Sequence, residues 1–271
     1  MTSGIHPTAS IGEGAEIGDG TTAGPYAVVE PGAVLGRGNA LGPHSTIHGS
    51  VRMGDGNRVH HGASLGGAPQ DLNYGGEPTR LVIGNDNWFG ENVTVNRGTV
   101  ATGETVIGNG NFFMAYAHVG HDCRVGDGVV MANSVPLGGA VQVQDRVTIG
   151  GNAAVHQFCR VGELVMIAGL CRVTQDILPF TLVAANNALR GLNRVGLRRA
   201  GYARDAVDPL REAYRRFCVG REPLESFLAW LGEFPQEPLL TAWRAFLSEK
   251  SSRGYARDRI RGRSEGGADT E

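Results

Sequence analysis

Ile11-Gly12-Glu13-Gly14-Ala15-Glu16-Ile17-Gly18 decides the fold: an apolar residue, a glycine and a small residue return together after six positions. Stepping by six from Ile5 meets only apolar residues as far as Leu65. The same phase returns at Ile83, Phe89 and Val95, and runs again from Ile107 to Val173. All 26 of these positions are apolar in a chain that is 41% hydrophobic, an outcome chance gives on the order of 10⁻¹⁰ of the time. Glycine follows the apolar anchor in 15 of the 26 cases, and a small or β-branched residue such as Ala15, Ala63 or Val129 stands four places after it.

Six matches neither the 3.6-residue period of a helix nor the two-residue period of an isolated strand. It is the period of a hexapeptide β-helix, where one short strand and one turn recur. Proteins with this repeat form a left-handed parallel β-helix of eighteen residues per triangular coil. The handedness is carried over from that likeness and runs against the usual right-handed crossover rule. The fold class is therefore β, a left-handed parallel β-helix of hexapeptide repeats followed by a small α-helical C-terminal domain.

The repeat is expected over residues 1–185, broken by two outward loops near 66–82 and 96–106, where function tends to sit on a rigid scaffold. Pro179 and Asn186-Asn187 mark its end, and from Leu192 apolar residues recur at three- and four-residue steps, predicting an α-helical domain over 186–250. The tail 251–271, mixing Arg257, Arg259, Arg261 and Arg263 with Gly, Ser and acids, reads as a disordered, solvated segment.

A net charge of −2 argues against a general polyanion binder, so no nucleic-acid partner is expected. Nothing approaches eighteen consecutive apolar residues and the start lacks a leader pattern, so the expectation is a cytoplasmic protein with no integral membrane segment. Cys123, Cys159 and Cys171 fall on inward hexad positions and Cys218 in a helix, which reads as buried thiols rather than disulfides.

Chemistry concentrates in Ala117-His118-Val119-Gly120-His121-Asp122-Cys123. Neither histidine occupies an inward core position. Side chains eighteen residues apart stack, so His121 lies over Gly139 and then Gln157. A backbone N–H at Gly139, with no side chain in the way, is placed to hold an oxyanion. A histidine beside Asp122 has the standing of a general base. No Ser, Cys or Lys stands in register as a nucleophile, which favours direct transfer. Zinc held by His60, His61, His118 and His121, as in a β-helix carbonic anhydrase, is the metalloenzyme alternative, and a non-catalytic β-helix is a third.

An ordered set of further stretches narrows the choice. Gln70-Asp71-Leu72-Asn73-Tyr74, Gly76-Glu77-Pro78-Thr79-Arg80, Arg97-Gly98-Thr99, Ala154-Val155-His156-Gln157-Phe158-Cys159 and Gly191-Leu192-Asn193-Arg194-Val195-Gly196 span nearly the whole chain. Together they resemble the UDP-N-acetylglucosamine 3-O-acyltransferase family of lipid A biosynthesis.

The resemblance implies transfer of a (3R)-3-hydroxyacyl chain from acyl carrier protein, where phosphopantetheine carries it, to the sugar 3-hydroxyl, as the first step of that pathway. No cofactor or metal is implied. His121 would be the base, Asp122 its orienting partner and Gly139 the oxyanion donor. Gln70, Asp71, His118, His156 and Gln157 would contact the nucleotide sugar, Asn193 the uridine end and Arg199 the diphosphate. The family is a homotrimer with sites between subunits. Gly169 matches the position that gates acyl length. It lies roughly 13 Å along the axis from His121 at about 4.8 Å per coil, and as a glycine it predicts longer chains.

Two departures stand out: the family usually has Lys where this chain has Asn73, and His where it has Ala140. They leave a 3-amino UDP-sugar as an alternative acceptor. The later N-acyltransferase of the pathway carries an extra N-terminal domain before its hexads, whereas here hexads begin at Ile5.

Overall fold

The computed structural model describes residues 4–258. Three parallel sheets of nine, eight and eleven strands, most strands only two residues long, wrap the chain into a left-handed β-helix. Each strand pairs with the one three strands on, so Val119 pairs with Val95 on one side and Leu137 on the other, and Leu137 with Val155. The anchors point inward and bury, with Phe89 and Phe113 meeting edge-to-face at 5.5 Å between ring centroids. Each such side chain contributes on the order of 2 kcal/mol by leaving water. All four cysteines are free and buried.

At one vertex the inward position is not small but asparagine. Asn39, Asn57, Asn87 and Asn111 are all buried and form a ladder. Each Oδ1 accepts the backbone N–H of the residue one coil on, at 2.8 Å for Asn57, 3.0 Å for Asn87 and 2.9 Å for Asn111, and the ladder closes on Val129 N–H at 2.7 Å. These side chains satisfy turn amides that the coil-to-coil bonds leave over.

The two loops leave from a different vertex, the one that follows the nine-stranded sheet. Ser64–Gly67 and Arg80–Ile83 are strands that bracket the first loop, and Thr94–Asn96 and Glu104–Ile107 bracket the second. Both loops are thus shorter than the breaks in the sequence pattern. Arg80–Ile83 is the reason: its residues pair in register with Val51–Met53 although the hexad spelling is interrupted.

The change to helix comes later than residue 186. Thr181–Ala185 and Ala188–Leu192 form an antiparallel hairpin that extends the eleven-stranded sheet. Then follow α1 (Arg194–Arg199), α2 (Arg204–Tyr214), a wider turn over Arg215–Val219, α3 (Leu224–Gly232) and α4 (Pro238–Ser248). Trp243 Nε1 on α4 donates to Pro179 O at 2.9 Å. Buried Arg160 donates to Asp176 at 2.8 Å and to Glu249 at 2.9 Å, tying the last coils to the end of α4.

The expected disorder of the tail is corrected as far as residue 258. Asp176 N–H donates to Gly254 O at 2.8 Å and Ala256 N–H to Asp176 O at 2.9 Å. Ala256 is fully buried, and Arg257–Asp258 pairs in parallel with Ala188–Leu189. Backbone hydrogen bonds and one buried alanine hold a stretch that composition marks as solvated. The rest of that expectation, including Arg259, Arg261 and Arg263, falls outside the described residues.

Replacing Asn87 by leucine removes the acceptor of the Asn111 backbone N–H and Nδ2 and leaves both unpaired inside the stack, while Asn57 Oδ1 keeps only the backbone N–H of residue 87. A loss of roughly 2–4 kcal/mol is expected, read as a shift in the urea unfolding midpoint. A variant as stable as the parent contradicts the ladder's role.

Candidate active site

Two successive coils run past one vertex with almost no side chain, the first at Gly120 and the next at Gly138 and Gly139. The absence of side chains opens a cleft of about 470 Å³. Asn96 stands at one end, His118 and His121 flank the middle, and His156, Gln157 and Arg172 line the other end. Gln70 reaches in from the first loop.

Asp122 sits behind His121 and is 5% exposed, with its backbone in the left-handed region at φ 61°. The second loop exists to hold it. Thr99 N–H and Thr99 Oγ1 donate to its carboxylate at 2.9 and 2.8 Å, and Thr102 Oγ1 donates as well. Its own N–H donates to Thr105 Oγ1 at 2.8 Å. Burial alone would push this carboxyl up. Hydrogen bonds from His121, Thr102 and Thr99 outweigh that and hold it below the ordinary carboxylate range.

An ionised carboxylate only accepts, so His121 Nδ1, 2.7 Å from Asp122 Oδ2, carries the proton. His121 Nε2 is then a lone pair facing the cleft. A Cβ built on Gly139 would lie 2.6 Å from that nitrogen, so only glycine fits beneath the ring. Among the described residues Gly139 N–H makes no hydrogen bond, although its neighbours do: Gly138 N–H donates to Val155 O and Ala140 N–H to His121 O. A base and a free amide donor thus share one small space.

His118 is the second histidine of the cleft, with Nδ1 2.7 Å from Thr94 Oγ1. Burial, reinforced by neighbouring His121, holds its pKa below the usual histidine value, so it is neutral at pH 7.

The other expected residues do not all converge here. Asp71 is turned into its own loop, accepting from Asn73 N–H at 2.9 Å and Asn73 Nδ2 at 3.1 Å. Asn193 caps α1, accepting from Gly196 N–H at 2.9 Å and donating to Leu164 O at 2.8 Å. Arg199 is exposed on α1 and does not line the cleft. Gly169 is exposed on the vertex before the nine-stranded sheet, not the vertex of His121, because the interval between them is not a whole number of coils. An axial distance alone therefore misplaces it within one chain. His60 stacks on Trp88 at 4.2 Å on the eleven-stranded face, so the four histidines weighed for zinc do not meet.

Four residues escaped the sequence reading. Thr99 was quoted only within the Arg97-Gly98-Thr99 stretch, with no role, and Thr102 was visible only as part of a loop. Arg172 carries no motif. Asn96, 7% exposed, donates to Ala68 O at 2.9 Å while its Oδ1 has no partner. An irregular break at an otherwise repeating anchor was the one available signal.

The comparisons with known proteins agree along the chain. The model described as bacterial transferase hexapeptide (six repeats) matches residues 14–49 and 104–138, and that of UDP N-acetylglucosamine O-acyltransferase domain 2 matches 176–256. A Paraburkholderia phytofirmans protein named acyl-[acyl-carrier-protein]–UDP-N-acetylglucosamine O-acyltransferase is 47% identical over 264 residues, covering 93% of this chain and 99% of its own. The chain belongs to this O-acyltransferase family. The solved UDP-N-acetylglucosamine O-acyltransferase of Moraxella catarrhalis is 36% identical with a TM-score of 0.89, covering 93% of this chain and 99% of its own. The Acinetobacter baumannii structure is 34% identical with a TM-score of 0.91, covering 94% and 100%. Like those O-acyltransferases, this one joins the repeat to a second domain, and the matched second domain runs as far as the buried Ala256.

The depressed Asp122 pKa fixes the sign of a stability effect. Unfolded, the group titrates near about 3.9; folded, it titrates lower. Its contribution is fully present above about pH 4 and is lost as pH falls through the folded value. The stability gap between wild type and Asp122→Asn in urea unfolding should therefore shrink from neutral pH towards about pH 3. A gap that widens on acidification contradicts the clamp.

Proposed function

We propose that the protein transfers a (3R)-3-hydroxyacyl chain from acyl carrier protein to the 3-hydroxyl of UDP-N-acetylglucosamine, the first step of lipid A biosynthesis. What carries the reading is the pairing of His121 Nε2, the ring nitrogen turned away from Asp122, with a Gly139 N–H unbonded among the described residues, in a cleft shaped by missing side chains.

His121 Nε2 takes the hydroxyl proton as the sugar oxygen attacks the thioester carbonyl. A carbon–oxygen bond forms and the carbonyl electrons move to oxygen, where the Gly139 N–H stabilises the charge. Collapse breaks the carbon–sulfur bond, and the thiolate leaves with the proton returned from His121. Asp122 stabilises the imidazolium in between without taking its proton. Neutral His118 and Gln70, His156 and Gln157 are the contacts for the nucleotide sugar.

The same reading includes a homotrimer. Asp71, Arg199 and Gly169 stand away from their own chain's cleft, and the first loop carries Leu72 fully exposed at its tip. In a trimer these would serve a neighbour's site, with Asn193 acting by fixing α1. Among the described residues no helix is long and apolar enough to cross a membrane, which accords with a cytoplasmic enzyme using a soluble donor.

The test is transfer from a ladder of 3-hydroxyacyl carrier proteins to UDP-N-acetylglucosamine. His121→Ala should lower kcat by about 10²–10⁴-fold. Gly139→Ala, which forces the His121 ring aside, should cost about 10²-fold while leaving the fold intact. The open Gly169 position predicts a preference for the longer donors. Product only with a 3-amino acceptor would move the substrate to that sugar, the alternative that the Asn73 and Ala140 departures leave open. No product from either acceptor overturns the reading.

A further inference from the structure

Arg253 stands where the sequence promised a solvated tail. Its neighbours fix its position: Gly254 O and Ala256 N–H both bond Asp176, whose carboxylate is held by buried Arg160. From this strap the guanidinium reaches back to the β-helix, where Nη2 contacts the ring of His156. His156 lines the end of the cleft beyond Gly139.

Among the described residues Arg253 pairs with no carboxylate, and its Nε is buried without a hydrogen-bond partner. Arg172, which lines the same end of the cleft, also pairs with no carboxylate there. One guanidinium lines the end of the cleft and a second is held against its His156, neither paired with a carboxylate among the described residues; together they call for an anion, and arginine is the side chain suited to phosphate oxygens.

We infer that Arg253 is a positioning residue for a nucleoside diphosphate, holding the diphosphate of the sugar nucleotide at the His156 end of the cleft. The inference rests on the function proposed above, with the reacting hydroxyl at His121. His156 and Gln157 follow His121 by two coils, roughly 10 Å along the axis. One hexose ring separates a sugar 3-hydroxyl from the diphosphate on its anomeric carbon, which suits that interval. The phosphate of an extended pantetheine arm stands much farther from its thioester and does not suit it.

The experiment is calorimetric binding of UDP and of uridine to wild type, Arg253→Ala, Arg253→Lys and Arg253→Gln, with steady-state kinetics beside it. Arg253→Ala should weaken UDP about ten- to hundred-fold and leave uridine unchanged. It should raise KM for the nucleotide sugar with little change in kcat, and Arg253→Lys should restore part of the loss. The ratio of UDP to uridine affinity within one protein is independent of the folded fraction, so it still reads out if the alanine variant loosens the strap, and Arg253→Gln repeats it with a near-isosteric side chain. Equal loss of UDP and uridine, unchanged UDP binding, or a rise in KM for the acyl donor alone overturns the inference. Wild type that binds neither UDP nor the sugar nucleotide overturns the underlying functional reading as well.

Discussion

Backbone hydrogen bonds between successive coils hold residues on adjacent turns one above another, and the chemistry of the cleft depends on that registration. Because Val119 pairs with Leu137, and Leu137 with Val155, the turns that follow them stack as His121, Gly139 and Gln157. A histidine on one coil meets a bare amide on the next without either being placed by a flexible segment. The core does not choose this arrangement; its anchors are interchangeable in kind. The ladder chooses it, and the anchors hold the ladder closed.

That constraint also explains the buried charge. A carboxylate taken out of water costs several kcal/mol unless donors replace the solvent. Asp122 has five hydrogen bonds at hand, counting its backbone N–H to Thr105, and three of those to its carboxylate come from the second loop. The loop leaves the stack at the vertex where Asp122 needs those donors. An interruption in the repeat that looks like an irregular insertion is thus the solvent substitute for one side chain. The asparagine ladder is the same solution at another vertex, for amides rather than for a charge.

The repeat was legible because its period is written in residue type: apolar anchors, glycines and small residues recur without regard to neighbours. So was the vertical relation of His121 to Gly139, since a period of eighteen residues converts to a stack by arithmetic. The same arithmetic gives the angle around the axis that an axial distance leaves out: 48 residues is not a whole number of eighteen-residue coils, so Gly169 lies on a different vertex from His121. Asparagine at an inward position, by contrast, was invisible. Its partners are backbone amides one coil away, which no local pattern names. Residues 254–258 misled because composition describes solvation, while a parallel pairing to Ala188–Leu189 and one buried alanine decide order.

The two ends of the cleft differ in a way that bears on which substrate lies where. At the Asn96 end the free polar atom is a carbonyl oxygen, an acceptor for an N–H or O–H donor. At the His156 end stand cations without counter-ions. Between them, glycine leaves room for a ring, and the base and the oxyanion donor face that room from one side. A molecule with neutral hydrogen-bonding groups at one end and a polyanion at the other is polarised by this cleft in one direction only. With the substrate proposed above, that direction would put the ring hydroxyls, rather than the nucleotide, against His121.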